Sequence, residues 1–327
     1  MSNEFRRRDF IKTVGLGTAA LASHTPGSVA ASSSHPNVLV IHVDQHRFDC
    51  LSVTGNPDVK TPHIDALAGD SVLFENSFCP FPVCTPSRYS LLSGQYVHQH
   101  GGFTNRSTLS PAIDTFPKLL RAAGYKTKAV GKMHFTPTYL DVGFDEMELS
   151  EQDGEGRWDD DYHRFLMQHD LVDRIDLMDQ RKEYRNGAPK SYWDAFGAVV
   201  SGLPEKYHST TWVGDRSIDT LNTWDASQPH LLMAGFIKPH HPFDPPAPWH
   251  QMYDPDTLTI LPGWTEECLA WDYSYSHGYF DNKTLNIPAL KRCMAYYYAT
   301  ISQIDHHVGR MIEVLKKKNL YDNTMII

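Results

Sequence analysis

Three short apolar runs, each of strand length and each ending in polar residues, restrict this chain more than any other feature. Residues 37–43 (N-V-L-V-I-H-V) lie between Pro36 and Asp44, and a β-branched run of that length is the pattern of a strand buried on both faces of a parallel sheet. A second run at 125–130 ends in Gly131-Lys132-Met133-His134, and a third at 230–237 ends in Lys238-Pro239-His240-His241.

Helical signals separate the runs. Ser87–Ser93 forms a short segment closed by Gly94, and T-F-P-K-L-L-R-A-A-G from Thr115 carries an N-cap, an early proline and the terminal Gly124. A helix over Thr211–Trp224 precedes the third run. From Pro288, the apolar positions Leu290, Met294, Tyr297, Ile301, Ile304, Val308, Met311 and Leu315 recur at steps of three and four, which predicts the longest helix of the chain. Residues 150–200 are polar and aromatic without a clear period and read as an insertion over one face. Pro242–Pro248 reads as an extended loop, and a turn at Leu320–Asn323 leads into a last apolar run, T-M-I-I. Strands alternating with helices define an α/β fold with a doubly wound, mostly parallel sheet flanked by helices.

Ligands of such sheets sit beyond the carboxyl ends of the strands. The three exits deliver Asp44 and Gln45, then Lys132 and His134, then Lys238, His240 and His241 to one edge. A carboxylate, an amide oxygen, ammonium groups and imidazoles gathered there suit a hard cation binding an oxyanion. Each also has a plain structural reading: Asp44 as a helix cap, Lys132 as a solvated charge, and His134 or His240 as a hydrogen-bonded core histidine.

Charge narrows the partners. The net charge is −9, and the first thirty residues carry a net +2, so the remainder stands at −11. An acidic body excludes nucleic acid as the expected partner. An anionic substrate would then need a local cluster of cations or a metal, because the overall field repels it. The N-terminus, with Arg6-Arg7-Arg8, Phe10-Ile11-Lys12, an apolar stretch Val14–Ala22 and small residues up to Ala31, resembles a twin-arginine export signal over residues 1–31. It predicts the twin-arginine export machinery as a partner and a bacterial periplasmic or secreted location. No other apolar run approaches membrane-helix length, so no stable membrane anchor is expected.

Of five cysteines, Cys50, Cys79, Cys268 and Cys293 read as small buried hydrophobes, with a disulfide open to them outside the cytoplasm. Cys84 differs. In C-T-P-S-R (Cys84–Arg88), Pro86 suits a first helical turn and sets Cys84 at a helix N-terminus, where partial positive charge favours an anionic nucleophile. Arg88 lies one turn on with its planar fork of donors. The residues alone leave two readings: a thiolate nucleophile beside an oxyanion-binding arginine, or a buried cysteine before a short helix.

C-T-P-S-R followed by L-L-S-G (Leu91–Gly94) resembles the signature of the formylglycine-dependent sulfatases, within the alkaline-phosphatase-like superfamily. Pro36–Gly55 with V-D-Q-H-R is similar to the family's first strand and metal loop, and Lys60–Ala68 to the helix that follows. Gly131–His134 resembles its lysine-histidine motif, Pro239–Phe243 its later histidine motif, and Tyr296–Asp305 the long helix before its last metal loop. Matches in this order are specific. The likeness marks 36–327 as a sulfatase N-terminal catalytic domain.

The resemblance implies that a formylglycine-generating enzyme oxidises Cys84 and that the hydrated aldehyde is the nucleophile. One hydroxyl attacks sulfur and the alcohol leaves; loss of the proton from the second expels sulfate. Asp44 and Gln45 would bind Ca²⁺, with Mg²⁺ as the other choice, and the Cys84-derived oxygen would complete the inner shell. Gln45 replaces a carboxylate common in the family. Arg88 would hold the modified side chain, Lys132 would bridge it to sulfate, His134 would accept the diol proton, and His240 would bind sulfate or protonate the leaving oxygen; Lys238 is a weaker candidate. By the same likeness, the family's last loop, with an Asp, an Asn or His, and a later Lys, lies beyond Ile327, which predicts an incomplete domain with weak metal binding.

The expected substrate is a sulfated small molecule or glycan. Trp158, Tyr162, Tyr184, Tyr192 and Trp193 suit stacking on sugars and equally suit a core or lid. Competing readings are a phosphonate or phosphate ester hydrolase of the same superfamily, and an inactive sulfated-glycan-binding protein.

Overall fold

The computed structural model describes residues 35–154, 156–261 and 286–327. The export reading of residues 1–31 and Cys268 lie outside the described residues. Within them, strands β1 (Asn37–Val43), β2 (Lys126–Gly131), β3 (Glu146–Leu149), β4 (His230–Phe236) and β5 (Thr324–Ile326) form a parallel sheet in the spatial order β3-β2-β4-β1-β5. The mixed α/β, doubly wound architecture follows from the alternation of these strands with helices α1 (Pro62–Gly69), α2 (Cys84–Ser93), α3 (Phe116–Ala122), α4 (Asp161–Gln168), α5 (Arg174–Gln180), α6 (Ser209–Thr223) and α7 (Ile287–Lys317).

Both faces of the sheet are covered. Successive strand side chains point to opposite sides, so Leu39, Leu232, Ala234 and Phe236 pack with Trp212, Val213 and Leu221 of α6 and Ile304, Val308, Met311 and Leu315 of α7. On the other side, Val40, Ala129, Leu231 and Met233 pack with Tyr89 and Leu92 of α2. Each such aliphatic side chain contributes roughly 1.5–3 kcal/mol when fully buried. The three-and-four spacing read from Pro288 is the buried stripe of α7, whose N-cap Asn286 accepts from Ala289 N.

Several expectations need correction. Helix α2 starts at Cys84, as Pro86 in a first turn implies, so the segment read from Ser87 begins three residues earlier; an extended Val83 caps it, and the missing N–H of Pro86 costs nothing there. Residues 150–200 hold α4, α5 and shorter helices, and α4 is strongly amphipathic. Of the two readings of Tyr162 and Tyr192, the core one holds: they are only 1% and 2% exposed and bond to Tyr207 O and Asp179 Oδ1. Cys79 is exposed rather than buried. Among the described residues, no helix is long and apolar enough to cross a membrane.

Candidate active site

In a parallel sheet the exits of β1, β2 and β4 share one edge. The exit of β2 is drawn against β4 by paired glycines. Gly131, at φ +90°, faces Gly235 in register, Lys132 N donates to Gly235 O at 2.8 Å, and a Cβ on Gly235 would lie 2.3 Å from Lys132 O. Two bare backbones let the strand ends close and fix where Lys132 points.

Lys132 is 1% exposed, which rules out the solvated-charge reading. Its ammonium meets Asp44 Oδ2 at 2.6 Å and donates to Gln152 Oε1 at 3.0 Å. Arg88, 2% exposed, joins from α2: its guanidinium bonds Asp44 Oδ2 at 3.2 Å and Lys132 O at 2.5 Å. Burial alone would raise the pKa of Asp44, but the adjoining Lys132 and Arg88 charges outweigh it and hold the carboxyl well below the usual range. Asp44 is therefore no helix cap; it balances two buried cations.

Cys84 opens α2 with its Sγ 4.0 Å from Asp44 Oδ1, the oxygen outside those ion pairs. Thr85 anchors this corner, with its N–H donating to Asn105 Oδ1 at 3.0 Å and its hydroxyl to His134 O at 2.7 Å. Burial raises the thiol pKa, and Asp44 adds to it, against the opposing pull of Lys132 and Arg88. Of the two readings open for Cys84, this disfavours the thiolate.

Two of the histidines, His134 and His240, are pushed toward the neutral form. Burial, then the charges of Lys132 and Arg88, lower His134 to about 3, and its Nδ1 is buried without a partner among the described residues. Burial and Lys132 likewise hold His240 well below its ordinary value. His240 Nδ1 lies 2.7 Å from His241 O; a carbonyl only accepts, so Nδ1 carries the proton and Nε2 keeps its lone pair. Gln45 is exposed, at φ 56°, with its carbonyl receiving the Tyr297 hydroxyl at 2.7 Å. Lys238 is drawn elsewhere: it pairs with buried Asp244 at 2.5 Å and donates to Pro242 O.

Sequence reasoning missed the fourth exit. β3 leads into Glu151 and Gln152, both buried. Gln152 receives the Lys132 ammonium and donates to Asp176 Oδ1 at 2.7 Å, and Asp176 pairs with Arg157 at 3.3 Å. The same edge rule that singled out the other exits would have found them, had E-M-E-L been read as a strand.

Two buried cations and a carboxylate beside Cys84, with His134 and His240 on the same parallel-sheet edge, define an α/β protein with a charged pocket at its strand exits. Residues 36–327 match the family model described as Sulfatase, and the chain belongs to the sulfatase family. It is 31% identical to an arylsulfatase of Clostridium perfringens over 89% of this chain and 62% of that relative. It is 24% identical to an N-acetylglucosamine-6-O-sulfatase of Bacteroides thetaiotaomicron over 90% and 57%. The chain thus spans roughly three-fifths of the length of these relatives. In fold it is similar to a phosphonate monoester hydrolase of Agrobacterium radiobacter, with a TM-score of 0.68 and 23% identity over 90% of this chain and 62% of that one. That likeness shows a shared fold, the alkaline-phosphatase-like one expected from the sequence.

Proposed function

We propose that this chain hydrolyses sulfate esters, with Cys84 converted to formylglycine as the nucleophile and a divalent cation at Asp44. The observation that carries the reading is the position of Cys84: first residue of α2, 4.0 Å from Asp44, beside buried Lys132 and Arg88. A thiol that burial keeps protonated is a poor nucleophile as it stands, so this location favours a side chain changed to an oxygen nucleophile.

The chemistry of the donors suits one edge of a hard-cation site. Asp44 keeps Oδ1 outside its ion pairs, and Gln45 adds an amide oxygen; among the described residues, no three His, Cys, Asp or Glu side chains gather as ligands. Bound by Asp44, Gln45 and the residue-84 oxygen, Ca²⁺ or Mg²⁺ would supply charge that favours the anionic form of that oxygen.

The remaining work belongs to the chain. Lys132 and Arg88 bring positive charge that cannot be solvated away, which suits sulfate in an otherwise acidic molecule. Neutral His134 has Nδ1 open to accept a proton from residue 84. His240 starts with a bare Nε2, so it gives a proton to a leaving oxygen only after a bound anion offsets Lys132 and raises its pKa.

The alcohol half is read as a sulfated sugar or an aryl group. A cavity of about 320 Å³ beside His134, lined by Asn105, Arg106, Thr136, Thr138, Asp153 and Arg181 among others, has room for a sugar ring. In the same reading residues 1–31 address the chain to the bacterial periplasm or exterior through twin-arginine export, and a formylglycine-generating enzyme acts on Cys84.

The test is intact-mass analysis of residue 84 in the native host, with turnover of an aryl sulfate against an aryl phosphonate monoester. Formylglycine at 84 and preferred sulfate turnover, both lost in Cys84→Ala, support the reading. Faster phosphonate cleavage would favour the rival esterase. An unmodified thiol without turnover would favour a sulfated-glycan binder.

A further inference from the structure

β3 pairs in parallel with β2, so Ser150, Glu151 and Gln152 leave the sheet on the same edge as Lys132 and His134. They are 0%, 2% and 1% exposed, and the proposed reaction gives Glu151 no task. Its position is specific. Glu151 Oε1 accepts from Met133 N at 2.9 Å and from His134 N at 2.8 Å. His134 has φ 55°, and two successive N–H groups in such a turn form a concavity for one anionic oxygen. Asp160 accepts in turn from Glu151 N, which holds the carboxylate's own backbone.

A carboxyl placed there is costly. Burial lifts Glu151 to about 7, against the lowering effect of the two backbone bonds, and Oε2 has no partner among the described residues. No ion pair among the described residues uses its charge. What it touches is the backbone of the residue whose imidazole is assigned to accept the proton. His134 Nδ1 makes no hydrogen bond that would orient the ring, whereas its backbone is held from two sides, by Glu151 at N and by Thr85 at O.

We propose that Glu151 is a positioning residue of this site: it fixes the left-handed turn that aims His134 at residue 84. The inference rests on the sulfatase reading of His134, and its test separates the two. In the full chain, Glu151→Asp withdraws the carboxyl by one methylene, whereas Glu151→Gln keeps an acceptor oxygen at full reach. Two quantities are read: aryl-sulfate kcat and KM, and hydrogen exchange at the Met133 and His134 amides.

Glu151→Asp should lower kcat about 10- to 100-fold, as expected of a misplaced group, with KM within about twofold, and should speed exchange at both amides. Glu151→Gln should stay within about fivefold of wild type in kcat with both amides protected. Wild-type kcat and unchanged exchange in Glu151→Asp would overturn the inference, as would a hundredfold loss in folded Glu151→Gln, which also decides the matter if Glu151→Asp does not fold. If wild type itself turns over no aryl sulfate, the sulfatase reading fails, and exchange at 133 and 134 still judges Glu151.

Discussion

The Lys132 ammonium sits 2.6 Å from Asp44 Oδ2, with the two side chains 1% and 9% exposed. Arg88 shares that oxygen at 3.2 Å, so one carboxylate balances two buried cations. Removing the anion strands both, whereas removing Lys132 leaves Asp44 with Arg88. Asp44→Ala should therefore cost about 3–5 kcal/mol, the usual penalty for a broken buried pair, and Lys132→Ala clearly less. Urea denaturation ranks them; a larger loss in Lys132→Ala would contradict the arrangement. Because the Asp44 pKa is depressed in the fold, its contribution is present above the ordinary carboxylate range near 4 and is lost as pH falls through the lower folded value.

Glu151 gives the opposite slope. Its folded pKa, about 7, stands above the unfolded value, so its contribution is fully present below about 4 and is lost as pH rises through 7. The thermal midpoint should fall between about pH 4.5 and pH 7.5 and level off above it, and Glu151→Gln, with no proton to lose, should flatten that decline. Melting curves across this range check it; equal slopes in both proteins would assign the decline elsewhere.

Strand exits carried most of what the sequence disclosed. β1 and β4 are continuous apolar runs because both faces are covered, and their ends named Asp44, Gln45 and His240 without any structural knowledge. β3 was illegible for the converse reason: Glu146-Met147-Glu148-Leu149 is a four-residue edge strand whose glutamates pair with Lys128 at 3.2 and 2.5 Å, so it has neither the length nor the apolar run of a buried strand. With β3 went its exit, Glu151 and Gln152. Burial of Tyr162 and Tyr192 was equally hidden, since tyrosine composition does not distinguish a core ring bonded to Tyr207 O or Asp179 from an exposed platform.

The paired glycines yield a backbone prediction. At Gly131 an added Cβ would lie 2.1 Å from Gly235 O, and φ is +90°. Gly131→Ala should destabilise by about 2–4 kcal/mol from strain and overlap together, and should also cut turnover by displacing Lys132. Gly202→Ala, where nothing lies within 4 Å, is the control and should be nearly neutral. Urea midpoints for the two variants decide it; equal stability would mean that β2 and β4 separate at no cost.

The cavity beside His134 bears on the alcohol half of the substrate. Arg181 there is committed, with Glu183 at 3.1 Å, Asp153 at 3.9 Å and the Trp158 ring beneath its guanidinium. Arg106 is exposed and makes no ion pair among the described residues, so it is the cation available to a second charged group on the ligand. An exposed ion pair contributes about 0.2–1 kcal/mol, at most roughly fivefold in affinity. Arg106→Ala should thus raise KM about three- to fivefold for a sulfated sugar bearing a second sulfate or a carboxylate, while KM for a singly charged aryl sulfate moves less than about 1.5-fold. Steady-state kinetics on both substrates provides the comparison. An equal change in both would place Arg106 at the reacting sulfate, and no change in either would remove this cavity from the path of the substrate.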